Sequence, residues 1–77
     1  MNNNRRARLQ EICEQLQSLM ADLQEIQDEE QKAFDNLPEN LQISGRGEAM
    51  EENISSMEDA YSSMEDACSS IEEIFDK

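Results

Sequence analysis

A seven-residue repeat in the second half of the chain restricts the fold more than any other feature of the sequence. Residues 47 to 74 divide into the units GEAMEEN, ISSMEDA, YSSMEDA and CSSIEEI, and Phe75 follows. The first and fourth positions of the units, the a and d positions of a heptad, are mostly apolar and lie along one stripe of an α-helix. The repeat therefore predicts a helix with one apolar seam, and not a catalytic or ligand-binding motif. The apolar a positions are Ile54, Tyr61, Cys68 and Phe75, and the d positions are Met50, Met57, Met64 and Ile71.

The first half of the chain carries a second apolar seam with the same spacing. Its members follow one another in alternating steps of three and four residues between positions 9 and 37, which is typical of a coiled-coil helix. The seam consists of Leu9, Ile12, Leu16, Leu19, Leu23, Ile26, Glu30, Ala33 and Leu37, with one acidic member. Further apolar residues widen the two stripes: Cys13, Met20 and Phe34 in the first half, and Ala60, Ala67 and Ile74 in the second.

The stretch DNLPENLQISGRGE between the two seams predicts a turn. Pro38 has no backbone N–H and disfavours the α conformation at Leu37, so the first helix is expected to end there. Ser44 is a suitable N-cap for the second helix, whereas Gly45 and Gly47 weaken its first turn. The predicted organisation is a flexible N-terminal arm at 1–4 and a single helical hairpin at 5–77. Its first helix is expected at about 5–36, its loop at about 37–44 and its second helix at about 45–76.

Two helices of equal length with a short connection predict an antiparallel hairpin. Residues that face each other in such a pair have numbers with a constant sum, and a sum of 80 sets every a position of one helix opposite a d position of the other. The fold class is therefore predicted as all-α, an antiparallel two-helix coiled-coil hairpin. The predicted pairs include Leu9–Ile71, Ile12–Cys68, Leu16–Met64, Leu19–Tyr61, Leu23–Met57 and Ile26–Ile54.

One hairpin buries only a narrow seam, which barely offsets the conformational entropy of a chain of 77 residues. The additional apolar residues suit a four-helix bundle, which two hairpins form around a two-fold axis. We therefore expect a homodimer; the alternative is a hairpin that offers its face to a different protein. The predicted hairpin and dimer core comprises Leu9, Ile12, Cys13, Leu16, Leu19, Met20, Leu23, Ile26, Phe34, Met50, Ile54, Met57, Tyr61, Met64, Cys68, Ile71 and Phe75.

The charge of the chain is strongly negative and unevenly distributed. The chain has nineteen acidic and six basic residues, which gives a formal net charge of −13, and residues 47–76 contain no basic residue. Such a surface repels nucleic acids and membrane phosphates and attracts basic proteins. Acidic pairs follow the d positions at intervals of about 10.5 Å along one flank of the helix. These candidate partner-binding residues are Glu51, Glu52, Glu58, Asp59, Glu65, Asp66, Glu72 and Glu73.

The acidic pairs have three possible roles. They keep the protein soluble, they imitate a nucleic-acid backbone and occupy a basic surface of another protein, or they bind calcium or magnesium weakly. The third role is disfavoured because carboxylates on a helix flank diverge, while these cations need converging oxygen ligands. The first two roles stay open from the sequence.

The chain lacks the residues of common catalytic and cofactor sites. It has no histidine, no glycine-rich phosphate loop and no nucleophile–base pair, so we expect no enzyme, no cofactor and no metal. No apolar run reaches the roughly 20 residues that cross a bilayer. A secretory signal has an apolar segment after its basic residues, and no such segment follows the N-terminal arginines here. We therefore expect a cytoplasmic protein with reduced cysteines and no membrane association.

Three further features each leave two interpretations. Cys13 and Cys68 lie at nearly the same height in the predicted hairpin, either as two small buried side chains or as a disulfide. Glu30 either lies beside Arg46 or in solvent near the loop, or it fixes the helix register at some cost in stability. The arginines of residues 5–8 are expected to neutralise the acidic C-terminal end of the second helix; the alternative is a nucleic-acid-binding arm.

The sequence around the turn, DEEQKAFDNLPENLQISGRGEAMEENI, resembles small acidic helical-hairpin proteins of phages and prophages of Gram-positive bacteria. In those proteins an acid-rich helix runs into AFDNLPE-LQ, then S-RGE, then acidic heptads. The resemblance covers roughly residues 25 to 70. The family has no assigned activity, so the resemblance implies an origin. Small acidic phage proteins often block host defence enzymes by taking the place of DNA or RNA.

These observations together predict a non-enzymatic protein-binding module. Its function is expected to be that of a phage-encoded acidic inhibitor, which occupies the basic, nucleic-acid-binding surface of a host defence protein without binding nucleic acid itself. The alternative is a structural or assembly coiled-coil protein whose acidic face only confers solubility. In that case the apolar loop residues Leu37, Leu41 and Ile43 are expected to matter more than the acids.

Overall fold

The computed structural model describes residues 1 to 76, and all regular secondary structure in that range is helical. Helix α1 spans Asn3–Asp35, α2 spans Glu39–Gln42 and α3 spans Gly45–Phe75. The two long helices pack along their lengths in a body of 58 × 15 × 12 Å. Side-chain contacts join residue 13 to residue 68 near one end and residue 30 to residue 53 near the other, so the helices are antiparallel. The predicted all-helical hairpin is confirmed.

Helix α1 begins inside the stretch that was expected to form a flexible arm. Asn2 is its N-cap, with an extended backbone and a side-chain oxygen that accepts a hydrogen bond from the backbone N–H of Arg5 at 2.9 Å. Asparagine is among the most stabilising residues at this position, which explains why the helix starts at Asn3 and not near residue 5. The arm is therefore reduced to Met1 and Asn2.

The connection between the long helices is more ordered than the loop predicted from the sequence. Pro38 leads into α2, and its carbonyl oxygen accepts the backbone N–H of Leu41 at 2.8 Å. The side-chain amide of Gln42 donates to the carbonyl oxygens of Phe34 at 3.1 Å and Leu37 at 3.2 Å. The Phe34 carbonyl also accepts the backbone N–H of Leu37 at 3.0 Å, so the Gln42 amide is an additional donor there, and it supplies a donor to Leu37 just beyond the end of α1.

Ser44 occupies the predicted N-cap position of α3, but its side chain acts differently from the prediction. Its backbone is extended and its carbonyl oxygen accepts the N–H of Glu48 at 3.0 Å. The hydroxyl group does not bond to an N–H of α3; it donates backwards to the carbonyl oxygen of Leu41. Ser44 therefore closes the turn after α2 and makes no side-chain cap for α3.

Gly47 has a packing role that its helix-weakening effect did not suggest. It is buried against the backbone of Gln42. A methyl group built on Gly47 would lie 2.5 Å from the carbonyl carbon and 2.7 Å from the Cα atom of Gln42, and closer still to its carbonyl oxygen. The same group on Gly45 would meet nothing within 4 Å. The turn therefore requires glycine at position 47 and not at position 45.

The seam of α1 differs from the predicted one. Cys13 and Met20 are buried, whereas the predicted seam residues Ile12, Leu19 and Ile26 are 45%, 55% and 53% exposed. The a positions of α1 are therefore 13, 20, 27 and 34, and positions 9, 16, 23, 30 and 37, which the prediction placed at a, become the d positions. Helix α3 keeps its predicted seam, with two buried and six half-buried members: Ile54, Cys68, and then Met50, Met57, Tyr61, Met64, Ile71 and Phe75.

The cross-helix contacts also depart from the predicted sum of 80. The residue numbers of hydrogen-bonded pairs add up to 81 for Cys13 and Cys68, 83 for Glu30 and Asn53, and 85 for Gln27 and Glu58. The displacement is in the same direction for all three pairs. It accompanies the change of seam, because a new set of a positions brings a different part of each turn of α1 against α3.

The flanks of the seam explain why α1 turns this way. In an antiparallel pair, the e positions of the two helices lie on one side of the seam and the g positions on the other. With the predicted seam, Cys13, Met20 and Phe34 would occupy e positions beside a row of carboxylates. In the structure the e positions of α1 are glutamines, and those of α3 are glutamates. We call these two rows together the polar edge: Gln10, Gln17, Gln24 and Gln31 on α1, and Glu51, Glu58, Glu65 and Glu72 on α3.

Candidate functional site

The g positions form an apolar face on the side of the hairpin opposite the polar edge. Its three largest α1 members are the exposed residues Ile12, Leu19 and Ile26, and Ile74 of α3 is 42% exposed. A shallow groove near Ile26 lies between this residue and Met57 of α3, and its other lining residues are polar: Glu29, Glu30, Asn53 and Ser56. We define the apolar face by Ile12, Leu19, Ile26 and Ala33 of α1 and Ala60, Ala67 and Ile74 of α3.

The hairpin leaves more surface uncovered than a compact chain of its size. Its accessible area is 5636 Å², about 800 Å² above the roughly 4,800 Å² typical of a folded monomer of 8.9 kDa. Among the described residues, the buried apolar side chains are Cys13, Met20, Ile54 and Cys68, and no side chain is less than 2% exposed. The excess equals the area that each partner of an ordinary protein–protein interface buries, about 800 Å².

The acidic pairs of α3 separate into two rows with different surroundings. The first members belong to the polar edge, where Glu58 accepts a hydrogen bond from the Gln27 amide at 3.2 Å and Glu72 is half-buried beside Cys68. The second members lie at f positions, on the side of α3 that points away from α1, and all four are exposed. We call these four residues the outer acidic row: Glu52, Asp59, Asp66 and Glu73.

Cys13 and Cys68 meet in the seam near the end of the hairpin that is remote from the turn. Both are free thiols, with 4% and 5% of their surface exposed. The Cys13 thiol donates to the backbone carbonyl oxygen of Cys68 at 3.5 Å. The Cys68 sulfur lies 3.5 Å from the Glu72 carboxylate and accepts a weak hydrogen bond from the Gln17 amide at 3.9 Å. The pair is therefore brought together as predicted, in reduced form and with polar neighbours.

Burial raises the pKa of the Cys13 thiol from its ordinary value of 9.0 to about 11, and the hydrogen bond with Cys68 adds to the shift. At neutral pH the native thiol is therefore less ionised than an unfolded one, and only the thiolate reacts readily. We expect Cys13 in the native protein to alkylate at least about 100 times more slowly than in denaturant, since two pKa units separate the ionised fractions. Rates of iodoacetamide labelling of wild-type protein at pH 7, followed for the Cys13 peptide by mass spectrometry, measure this.

The same shift fixes the sign of a pH dependence. Because the folded pKa is raised, the contribution of Cys13 to stability is complete below pH 9.0 and is lost as the pH rises towards about 11. Cys13→Ser protein lacks this loss and serves as the control. Equal labelling rates in the native and denatured states would contradict the buried position of Cys13.

Other predicted site residues are dispersed. Glu30 is half-buried and accepts a hydrogen bond from the Asn53 amide at 3.2 Å, which differs from both a solvent-exposed acid and a partner of Arg46. In the loop, Ile43 is 81% exposed while Leu37 and Leu41 are half-buried.

None of the helices within residues 1–76 is both long enough and apolar enough to cross a membrane.

No protein-family model, curated protein or solved structure matches this chain. The surfaces described above are therefore interpreted from their own chemistry. Sequence reasoning missed two residues of the turn, Gln42 and Gly47, whose roles depend on contacts between helices. It also missed the division of the acids into two rows, although the glutamines at every seventh position from residue 10 to residue 31 were a signal for it.

Proposed function

We propose that the protein is a non-enzymatic protein-binding module that acts as a homodimer. In this proposal two apolar faces form the centre of a four-helix bundle, and the outer acidic rows bind a basic surface of another protein. The observation that carries the proposal is that the apolar face and the outer acidic row lie on different sides of the same hairpin. Dimerisation therefore leaves the acids accessible.

The size of the uncovered surface supports a second copy as the occupant of the apolar face. The excess of about 800 Å², part of which comes from the elongated shape of the hairpin, is similar to the area that each partner of a standard interface buries. The face contains large side chains on α1, such as Leu19, and mainly alanine on α3, such as Ala60 and Ala67. A two-fold axis sets the large residues of one hairpin against the small residues of the other, which gives the interdigitation that four-helix bundles require.

The charge of the outer acidic row supports a basic partner. A dimer of two chains with a net charge of −13 each carries −26, and the row presents one exposed carboxylate for every two turns of α3. Such a surface accelerates encounter with a positively charged protein and repels nucleic acids. The partner class that fits is a protein whose own ligand is DNA or RNA, because such proteins present extended basic grooves.

The turn sequence connects this chemistry to a biological setting. Since residues 25 to 70 resemble acidic phage and prophage proteins, we propose a phage origin and an action in the cytoplasm of a bacterial host. The basic partner is then a host defence protein, for example a nuclease, whose nucleic-acid-binding surface the dimer occupies. Inhibition follows from simple competition and needs no catalytic residue.

Reversal of the outer acidic row tests this proposal. We expect the four-residue change of Glu52, Asp59, Asp66 and Glu73 to lysine to abolish capture of basic proteins from host lysate at low salt. The control reverses four exposed acids on the outer side of α1, and both variants change the net charge from −13 to −5. The control set is Glu11, Glu14, Glu25 and Asp28.

The captured protein should leave the wild-type dimer as the salt concentration rises, because screening weakens contacts between exposed charges. Added wild-type protein should also prevent that partner from binding its nucleic acid. Capture that is equal for both variants and insensitive to salt would contradict the proposal.

A structural or assembly protein is the second candidate, and the exposure of Ile43 favours it. An isoleucine that is 81% exposed at the tip of the hairpin is suited to insertion into an apolar pocket of a larger assembly. In that case Ile43→Ser abolishes partner capture while reversal of the outer acidic row leaves it intact. The opposite pattern supports the inhibitor.

A further inference from the structure

We propose that Cys13, Cys68 and Glu72 form a binding site for a thiophilic divalent cation such as Zn²⁺. The two sulfur atoms and a carboxylate oxygen of Glu72 all lie within 4.8 Å of one another. Both cysteines are buried and Glu72 is half-buried, so the three side chains are held in place by the packing of α1 against α3. This inference is independent of the proposed function.

The separations of the three atoms fit a tetrahedral zinc ion. With Zn–S bonds of about 2.3 Å and Zn–O bonds of about 2.1 Å, two ligand sulfurs lie about 3.8 Å apart and a sulfur and an oxygen about 3.6 Å apart. The distance from the Cys68 sulfur to the nearer Glu72 oxygen is 3.5 Å. The remaining separations, at most 4.8 Å, need to shorten by no more than about 1.2 Å.

The helices supply the ligands in a suitable arrangement. Cys68 and Glu72 are four residues apart and lie on the same face of α3, while Cys13 approaches from α1. Gln17 extends its amide to the Cys68 sulfur at 3.9 Å, which places a polar side chain next to the open fourth position. Gln17 stabilises the bound ion in one of two ways. Its amide N–H donates a hydrogen bond to a ligand sulfur, or its amide oxygen contacts the ion after the side chain rotates.

The ligand set selects the class of cation. Thiolates favour zinc and other thiophilic metals, whereas magnesium and calcium require several oxygen ligands. Binding replaces the two S–H bonds by two metal–sulfur bonds and releases two protons to solvent. The occupied site then has three negatively charged ligands, two thiolates and one carboxylate, around an ion of charge +2. Sequence spacing does not show it because Cys13 and Cys68 are 55 residues apart.

Titration of the reduced full-length protein with Co²⁺ tests the site. We expect one ion per chain, with a sulfur-to-cobalt charge-transfer absorption in the near ultraviolet that Zn²⁺ removes and Mg²⁺ does not. Cys13→Ser and Cys68→Ser should each abolish this band, and Glu72→Gln should weaken binding at least about tenfold. Glu65→Gln is the matched control, since Glu65 lies one heptad earlier in the same row, and it should bind like wild type.

Two results would overturn the proposal. The first is the absence of a charge-transfer band in reduced wild-type protein, which does not depend on any variant folding. The second is a band of equal intensity in the Cys13→Ser variant, whose helicity is checked by circular dichroism. Because the three ligands belong to one chain, neither result depends on dimerisation or on a protein partner.

Discussion

Leu19→Glu protein is expected to be a folded, helical monomer at concentrations where the wild-type protein forms the dimer that we propose. Leu19 is 55% exposed in the single hairpin, so a glutamate side chain there stays hydrated in the monomer and does not disrupt its fold. In the dimer the same carboxylate would be buried without a counter-charge, which costs several kcal/mol. Association should weaken at least about 100-fold, and light scattering coupled to size-exclusion chromatography measures the mass.

The two neighbours of Leu19 provide controls. Ser18 lies on the outer side of α1 and is exposed, so Ser18→Glu should remain dimeric and helical. Met20 is buried in the seam at 8% exposure, so Met20→Glu should lose helical structure at any concentration, with a cost of about 3 kcal/mol or more. If Leu19→Glu and Ser18→Glu have the same mass, the apolar face is not the interface.

Gly47→Ala is expected to destabilise the hairpin by about 2–3 kcal/mol, because a methyl group at this position overlaps the backbone of Gln42. The neighbouring position has the opposite expectation. Gly45→Ala places its methyl group in open space and should stabilise α3 by about 0.5–1 kcal/mol. Urea denaturation followed by circular dichroism at 222 nm measures both changes at equal protein concentration.

The comparison of the two glycines separates helix propensity from packing. Propensity alone predicts that both alanine variants are more stable than wild type, since both positions belong to the first turn of α3. Close packing of the turn predicts opposite signs. Two variants of equal stability would show that Gly47 does not lie against Gln42.

The helices themselves could be predicted from the sequence because their periodicity is local. Helix α3 has one apolar seam, and acids on one flank leave no other way to orient it. Helix α1 has apolar residues at both candidate sets of seam positions, represented by Leu19 and Met20. Periodicity cannot choose between two such sets. The choice between the two sets depends on α3. In the structure the α1 residues that lie on the same side of the seam as the α3 carboxylates are glutamines, and Met20 is in the seam itself.

The turn shows a different limit of sequence reasoning. Pro38 and Ser44 mark where helices end and begin because their effects act within a few residues. The contacts of Gln42 with Phe34 and of Gly47 with Gln42 depend on the angle at which α1, α2 and α3 meet. That angle is a property of the packed hairpin, so no local pattern reports it.

The candidate surfaces were predictable in composition but not in arrangement. The acidic pairs of α3 are evident in the sequence, but only the contacts with Gln27 and Cys68 distinguish Glu58 and Glu72 from the acids that follow them. The proximity of Cys13 and Cys68 follows from the antiparallel pairing and was predicted. The position of Glu72 next to both sulfurs requires the side-chain geometry of the seam.

Sedimentation equilibrium of the wild-type protein over a range of concentrations tests most directly whether a second copy covers the apolar face. Since one chain has a mass of 8.9 kDa, a dimer corresponds to twice that mass, 17.8 kDa. We predict 17.8 kDa at micromolar concentrations and above, with dissociation only on strong dilution. A mass of 8.9 kDa at every concentration would contradict the dimer.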